Sequence, residues 1–201
     1  EESVDTYEFS SRSSFDNSNV SLNANLFYND YDGYQASNSL RRITNIDKVV
    51  TYGLELEFIA MLGSDWQLVS GAGWLESEIK QADPSYGDII GNELNSAPNF
   101  TANLGLKYWF NDEITFGVSG NYVDEYFADI ANTPERVAGD YIVSRLNIDY
   151  QTEQWRISAF VNNLFDEKAL TVNEPPGRGY DHGYAAVVDP RNIGVSVMYS
   201  F

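Results

Sequence analysis

The chain has no cysteine and a single histidine, His182, in 201 residues. Zero cysteines exclude a disulfide scaffold, a thiolate metal site and a cysteine nucleophile. One histidine excludes a multi-histidine metal site. Cations are scarce too: 12 Lys and Arg stand against 30 Asp and Glu, a formal net charge of −18. That balance excludes a nucleic-acid binder acting through a basic patch. Long apolar runs are also missing. The longest cover only a few residues, as at 58–62, so no transmembrane helix is present. Yet 43% of the residues are hydrophobic and 14% aromatic, too apolar for an acidic disordered segment. The chain opens Glu1-Glu2-Ser3, with neither initiator methionine nor signal peptide, as expected of a mature form or a fragment.

What is present is alternation. Val20, Leu22, Ala24, Leu26 and Tyr28 share one parity, and Ser21, Asn23, Asn25 and Asn29 the other. A period of two predicts a strand with one apolar and one polar face. The pattern recurs with Leu54, Leu56 and Phe58 against Glu55 and Glu57. It recurs again from Phe100 to Tyr108, Ile114 to Tyr122, Ile142 to Tyr150, Trp155 to Val161 and Ile193 to Phe201. Residues 66–79 fit less cleanly, because Gly71 and Gly73 interrupt one side, and residues 4–12 form a weaker first strand. The expectation is an all-β antiparallel meander of about nine strands, many of roughly 10–14 residues.

Connections alternate between short and long. Short turns are expected at 13–17, 62–65, 110–113 and 151–154, and long polar loops at about 31–47, 80–97, 127–138 and 166–190. Long strands with short turns on one side and long loops on the other describe an outer-membrane barrel, with its apolar parity toward lipid. A soluble β-sandwich would turn the same parity inward, but its strand-plus-turn units are shorter. Trp66, Trp109, Phe110 and Trp155 flank the short turns, and Tyr28, Tyr31, Tyr122, Tyr126, Phe127 and Tyr141 the long loops. Two such groups are expected as girdles at the two headgroup levels, although Trp109 falls on the polar parity.

The last 40 residues are the most specific. Asn163-Leu164-Phe165-Asp166 precedes the final loop, and the chain closes Asp189-Pro190-Arg191-Asn192-Ile193-Gly194-Val195-Ser196-Val197-Met198-Tyr199-Ser200-Phe201. This end resembles that of TonB-dependent outer-membrane receptors. Tyr52-Gly53-Leu54-Glu55-Leu56-Glu57, Ala97-Pro98-Asn99-Phe100-Thr101-Ala102-Asn103-Leu104 and Tyr122-Val123-Asp124-Glu125-Tyr126 are similar to other strands of that family, in its order. The resemblance implies a 22-stranded barrel around an N-terminal plug. It implies nutrient uptake driven through TonB, most often of an iron–siderophore chelate. Residues 1–201 would be the C-terminal part of that barrel, without its plug, and an open sheet if alone.

Site residues follow. Glu55, Glu57, Arg145, Asn147, Asp149 and Arg156 are expected on the lumen wall, the glutamates facing cations such as Arg145 or Arg156, or the plug. Tyr126, Arg178, Tyr180 and His182 lie in or beside long loops and are candidate ligand contacts. Val195, Val197, Tyr199 and Phe201 resemble the terminal signal read by the barrel-assembly machinery. Asp30-Tyr31-Asp32-Gly33 begins like a calcium loop, but the position that needs glutamate is Arg41. No catalytic residue, resident metal or cofactor is expected. Expected partners are outer-membrane lipid and lipopolysaccharide, the assembly machinery, TonB through the N-terminal part, and a small ligand such as a ferric siderophore. The alternative is a small self-contained structural or adhesive outer-membrane barrel.

Overall fold

The computed structural model describes residues 2–37, 43–174 and 182–201. In chain order the strands are β1 (Ser3–Phe15), β2 (Val20–Ser37), β3 (Ile43–Leu62), β4 (Trp66–Gln81), β5 (Phe100–Trp109), β6 (Ile114–Val123), β7 (Tyr126–Phe127), β8 (Val137–Ala138), β9 (Tyr141–Gln151), β10 (Trp155–Asn162), β11 (Leu170–Glu174), β12 (Tyr184–Val187) and β13 (Asn192–Tyr199). Nine of them form one antiparallel sheet in the order β1-β2-β3-β4-β5-β6-β9-β10-β13. The remaining four make two small hairpins, β7 with β8 and β11 with β12, inside long loops. Among the described residues no ladder joins β1 to β13, so the sheet is open.

Register carries the two-faced pattern across the whole sheet. Val195 pairs with Ala159, which pairs with Ile148, which pairs with Phe116; on the opposite face Ser196 pairs with Ser158 and Ser158 with Asp149. The apolar face is not a core. Phe9 is 70% exposed, Ile193 76% and Val195 67%. A sandwich would bury these side chains against a second sheet. An apolar face this extensive and this bare is the wall of a membrane barrel.

Aromatic rings bracket that face. Tyr7, Tyr28, Tyr52 and Trp74 form a continuous chain of ring contacts near the long loops, beside the pair Phe100 and Tyr122. Near the short turns Trp66, Tyr108, Phe110 and Phe116 form a second group, and Trp155, Tyr199 and Phe201 a third. Eight rises separate Trp66 from Trp74, about 27 Å along the strand, enough for a tilted strand to cross one hydrocarbon layer.

Several sequence expectations need correction. The loop at 31–47 is much shorter, because β2 and β3 stay paired out to Ser37 and Ile43. The upper ends are held by a buried cluster of Ala36, Ile46, Val49, Ile79, Ile89 and Leu94, with Tyr31, Tyr34 and Ile130 packed against it. Nonlocal packing thus overrides the turn-like Asp32-Gly33 composition. The first strand runs from Ser3 to Phe15, longer than 4–12, and the break at 66–79 disappears into β4. Asn103 and Thr101 fold across Gly71 and Gly73, their direct partners, and fill the missing side chains. Tyr31 belongs to the buried cluster and Tyr126 to a loop hairpin, so neither joins the upper girdle.

Candidate functional site

The polar face and the long-loop end together make the candidate site. On β1 to β3 the face is acidic and stitched by amides. Asn25 donates from its side chain to Glu8 at 3.0 Å and to Glu55 at 3.3 Å, and Ser10 donates to Asn25 at 2.8 Å. Asn23 donates to Glu57 at 3.1 Å. Among the described residues neither Glu55 nor Glu57 forms an ion pair, and each bonds an asparagine on β2. Among the described residues no ion pair joins these glutamates to Arg145 or Arg156. Arg145 stands instead over the Phe160 ring, 5.3 Å from its centroid. Arg156 lies at the turn end, beside a hollow it shares with Lys107, Asp112 and Glu113. Asn147 donates to Asp149, and Ser158 donates to the same carboxylate. Trp109, off the girdle, lies under the Lys107 ammonium at 4.6 Å.

Three long loops form one body. Between β4 and β5, Glu93 donates its N–H to Asn132 Oδ1 at 2.7 Å, and Asn132 returns a bond to the Glu93 carbonyl at 3.0 Å. Asn92 donates to the Ile130 carbonyl at 2.9 Å. The loop between β6 and β9 is in turn tied to β11. Tyr126 Oη donates to the Thr171 carbonyl at 2.8 Å, and the Gly139 N–H to the Leu170 carbonyl at 2.9 Å. Asn173 reaches the carbonyls of Glu135 and Val137, each at 3.2 Å. Sequence reasoning did not find these amides, since a lone loop asparagine carries no readable partner.

Tyr126 is therefore half-buried, with its phenol engaged, and burial pushes its pKa up. His182 is exposed, two residues before β12. Arg178 and Tyr180 lie outside the described residues. Of the four expected ligand contacts, the described residues thus include Tyr126 and His182.

Two further elements brace the rim. Burial alone would raise the Asp129 pKa, but the Thr133 N–H, the Arg136 guanidinium and the Thr133 hydroxyl bond its carboxylate and hold it below the usual range. A depressed carboxyl stabilises at neutral pH and loses that contribution as pH falls through its folded value. Protection of residues 129–136 against hydrogen exchange, corrected for the intrinsic rate, should therefore fall below about pH 4, while Asp129→Asn should flatten that dependence. The second element is Asn163, 2% exposed and with φ of 49°. Its Nδ2 donates to the carbonyls of Glu167 and Asp189, and its Oδ1 accepts from the Glu167 N–H. The Arg191 N–H bonds Asp166 Oδ1 at 3.1 Å. The two segments of the family-like C-terminal pattern thus meet, closing the neck of the last loop.

Comparison with known proteins agrees with this geometry. The family model described as "TonB dependent receptor-like, beta-barrel" matches residues 1–164. A probable TonB-dependent siderophore receptor of Acinetobacter baumannii, PiuA, is 22% identical over 213 residues, covering all of this chain and 27% of PiuA. The crystal structure of PiuA superposes with a TM-score of 0.79 at 20% identity, over 98% of this chain and 28% of that one. The ferric yersiniabactin uptake receptor FyuA of Yersinia pestis gives 0.82 at 23% identity, over 100% of this chain and 30% of that one. The chain spans less than a third of the length of these relatives. A copper transporter, OprC, shares the fold too, with a TM-score of 0.76 at 17% identity, so the fold by itself does not select a cargo. The chain belongs to the family of TonB-dependent receptor β-barrels.

Proposed function

We propose that this chain is the C-terminal wall of an outer-membrane receptor that imports an iron–siderophore chelate, with energy delivered through TonB by the N-terminal part of the protein. The carrying observation is the two-faced sheet, one face apolar and exposed and the other polar, capped at one end by a single braced rim. Siderophore cargo is supported by the named relatives PiuA and FyuA. The chain is a transport receptor and not an enzyme. Glu55 and Glu57 offer anionic groups to a plug inside the barrel. His182, Arg178 and Tyr180, with the rim around Tyr126, contact the ligand from outside. Outer-membrane lipid and lipopolysaccharide cover the apolar face.

The test uses the full-length receptor in cells starved of iron. Uptake of radioiron presented as siderophore chelates should depend on both the receptor and TonB. Uptake of a carbohydrate or cobalamin with no iron chelate carried would overturn the cargo, and a self-sufficient barrel indifferent to TonB would favour a structural or adhesive role.

Assembly is read at the chain's end. Val195, Val197 and Tyr199 share the exposed apolar face, and Phe201 continues their parity. Deleting Phe201 from the full-length receptor should lower its outer-membrane level severalfold, read by immunoblot of the membrane fraction. Uptake per inserted receptor should stay unchanged. Normal levels would contradict an assembly signal.

A further inference from the structure

Three segments of the rim meet at one loop. The loop between β6 and β9 is bonded to the β4–β5 loop on one side and to β11 on the other. Toward the β4–β5 loop, the Ser96 N–H reaches the Phe127 carbonyl at 2.8 Å, and Asn132 makes its two-way bond to Glu93 through Oδ1 and Nδ2. Ile130 packs against the buried cluster that Ile89 and Leu94 share with Ile46, Val49 and Ile79. Toward β11, bonds run from Tyr126 to Thr171, from Gly139 to Leu170, and from Asn173 to Glu135 and Val137.

Each segment is too small to hold itself. Strands β7 and β8 have two residues each, β11 has five and β12 four. An isolated hairpin, above all one this short, is marginal at best in water. The β4–β5 loop is tied to its own strand at Ile79, whose N–H and carbonyl bond Asn92 and Gly91, and at Ser77, whose Oγ accepts from the Leu94 N–H at 2.9 Å. Inside the middle loop the Asp129 carboxylate gathers Thr133 and Arg136, and the Ala128 N–H bonds the Arg136 carbonyl at 2.8 Å. That brace fixes the places from which Ile130, Asn132, Glu135 and Val137 bond outward. Most of the cross-bonds join a side-chain amide to a backbone group. Losing the amide leaves a half-buried N–H or carbonyl without its partner, which costs more than the bond itself is worth.

We infer that residues 89–97, 126–139 and 169–173 open and close as one cooperative unit, with Asn132 as the positioning residue at its centre. Short segments that supply each other's missing partners order together. Whatever orders the last loop then orders the β4–β5 loop as well, and the reverse holds with the same free energy. The buried cluster anchors the unit on the tops of β3 and β4. The rim of this wall is thus a single plate. The inference concerns the rim alone and holds whichever solute is carried.

Hydrogen exchange of the full-length receptor in lipid bilayers, with no solute added, tests it. Asn132→Ala removes the bonds to Glu93. The slowest-exchanging amides of all three segments should then exchange roughly ten-fold faster, and by the same factor in each. The decisive segment is β11, because the hydrogen bonds of Asn132 go to Glu93 and Asp129. Asn173→Ala removes bonds from the other side and should speed exchange at Leu94 and Ser96 by the same factor as in β11. Asn132 has a φ of 50°, so alanine there adds backbone strain. Asn132→Gly removes the bonds without that strain and should give the same pattern at smaller amplitude; it also serves if Asn132→Ala does not insert. Asn111→Ala, at the turn end, removes bonds to the Glu113 and Ile114 N–H groups and should leave all three segments unchanged. Acceleration confined to 89–97 and 126–139 in the Asn132 variants, with β11 exchanging as in the unaltered receptor, would overturn the cooperative unit. So would an Asn173→Ala effect confined to β11. Equal acceleration by Asn111→Ala would mean a general loss of stability and would count against it as well.

Discussion

Lysine at Val195 should destabilise the inserted receptor by about 2–4 kcal/mol, whereas lysine one residue on, at Ser196, should cost under about 1 kcal/mol. The two positions are adjacent in sequence and share β13, so strand propensity and edge effects cancel between them. Only the face differs. Val195 pairs with Ala159 on the apolar face, and Ser196 with Ser158 on the polar one. Val195 also lies four rises from Tyr199 of the turn-end aromatic group, about 13 Å along the strand. With the strand tilt, that is well inside the roughly 25 Å apolar band. A lysine there can reach neither headgroup level without stretching. Urea titration of the receptor refolded in bilayers reads the difference. Equal losses at the two sites would mean that the faces are not lipid and water.

The second large effect belongs to Asn163. Its side chain makes three bonds to backbone groups at both ends of the last long loop. Asn163→Ala leaves two carbonyls and one N–H without that partner, at a cost of about 1–3 kcal/mol for each group that stays dry. It also puts alanine at a φ of 49°, a left-handed conformation that adds roughly 1 kcal/mol for a residue other than Gly or Asn. A total near 3 kcal/mol is expected, confined to the loop neck, because the sheet register does not depend on this residue. Asn163→Gly separates the two contributions: it relieves the backbone strain and still lacks the bonds, so it should recover only about 1 kcal/mol. Limited proteolysis between residues 166 and 190 should rise steeply in the alanine variant and less in the glycine one. Unchanged cleavage in both would show that the loop neck is held by other contacts.

The sheet was legible because its signal is local. Within the nine-stranded sheet, each strand from β5 onward announces itself through alternation of the Phe100, Ala102, Leu104 kind, and the face a residue occupies follows from parity alone, whereas the loop hairpins β7–β8 and β11–β12 carry no such signal. Glu55, Glu57, Arg145, Asn147, Asp149 and Arg156 fall on the polar face for that reason. What did not show was the part that depends on distant partners. The outward extension of β2 and β3 reads as a loop because Asp32 and Gly33 look like turn residues, while Ile46 and Val49 find their packing against Ile79 and Ile89. The girdle was half legible. Tyr28 and Tyr122 join it, but Tyr7, Tyr52, Trp74 and Phe100 complete it through cross-strand neighbours. Pairing between charged residues was the least legible. Parity places Glu55 and Arg145 on one face but not how far apart, and β4, β5 and β6 stand between β3 and β9 in the sheet order. Asparagine neighbours satisfy the glutamates locally instead.

In β13 the odd-numbered residues face lipid and the even-numbered ones the lumen. Spin labels placed singly at 193 to 198 in the full-length receptor, in bilayers, measure it directly. Accessibility to oxygen, which concentrates in lipid, should peak at 193, 195 and 197 and fall at 194, 196 and 198, with a period of two. Opposite phase, or accessibility that does not alternate along β13, would contradict the barrel wall described here.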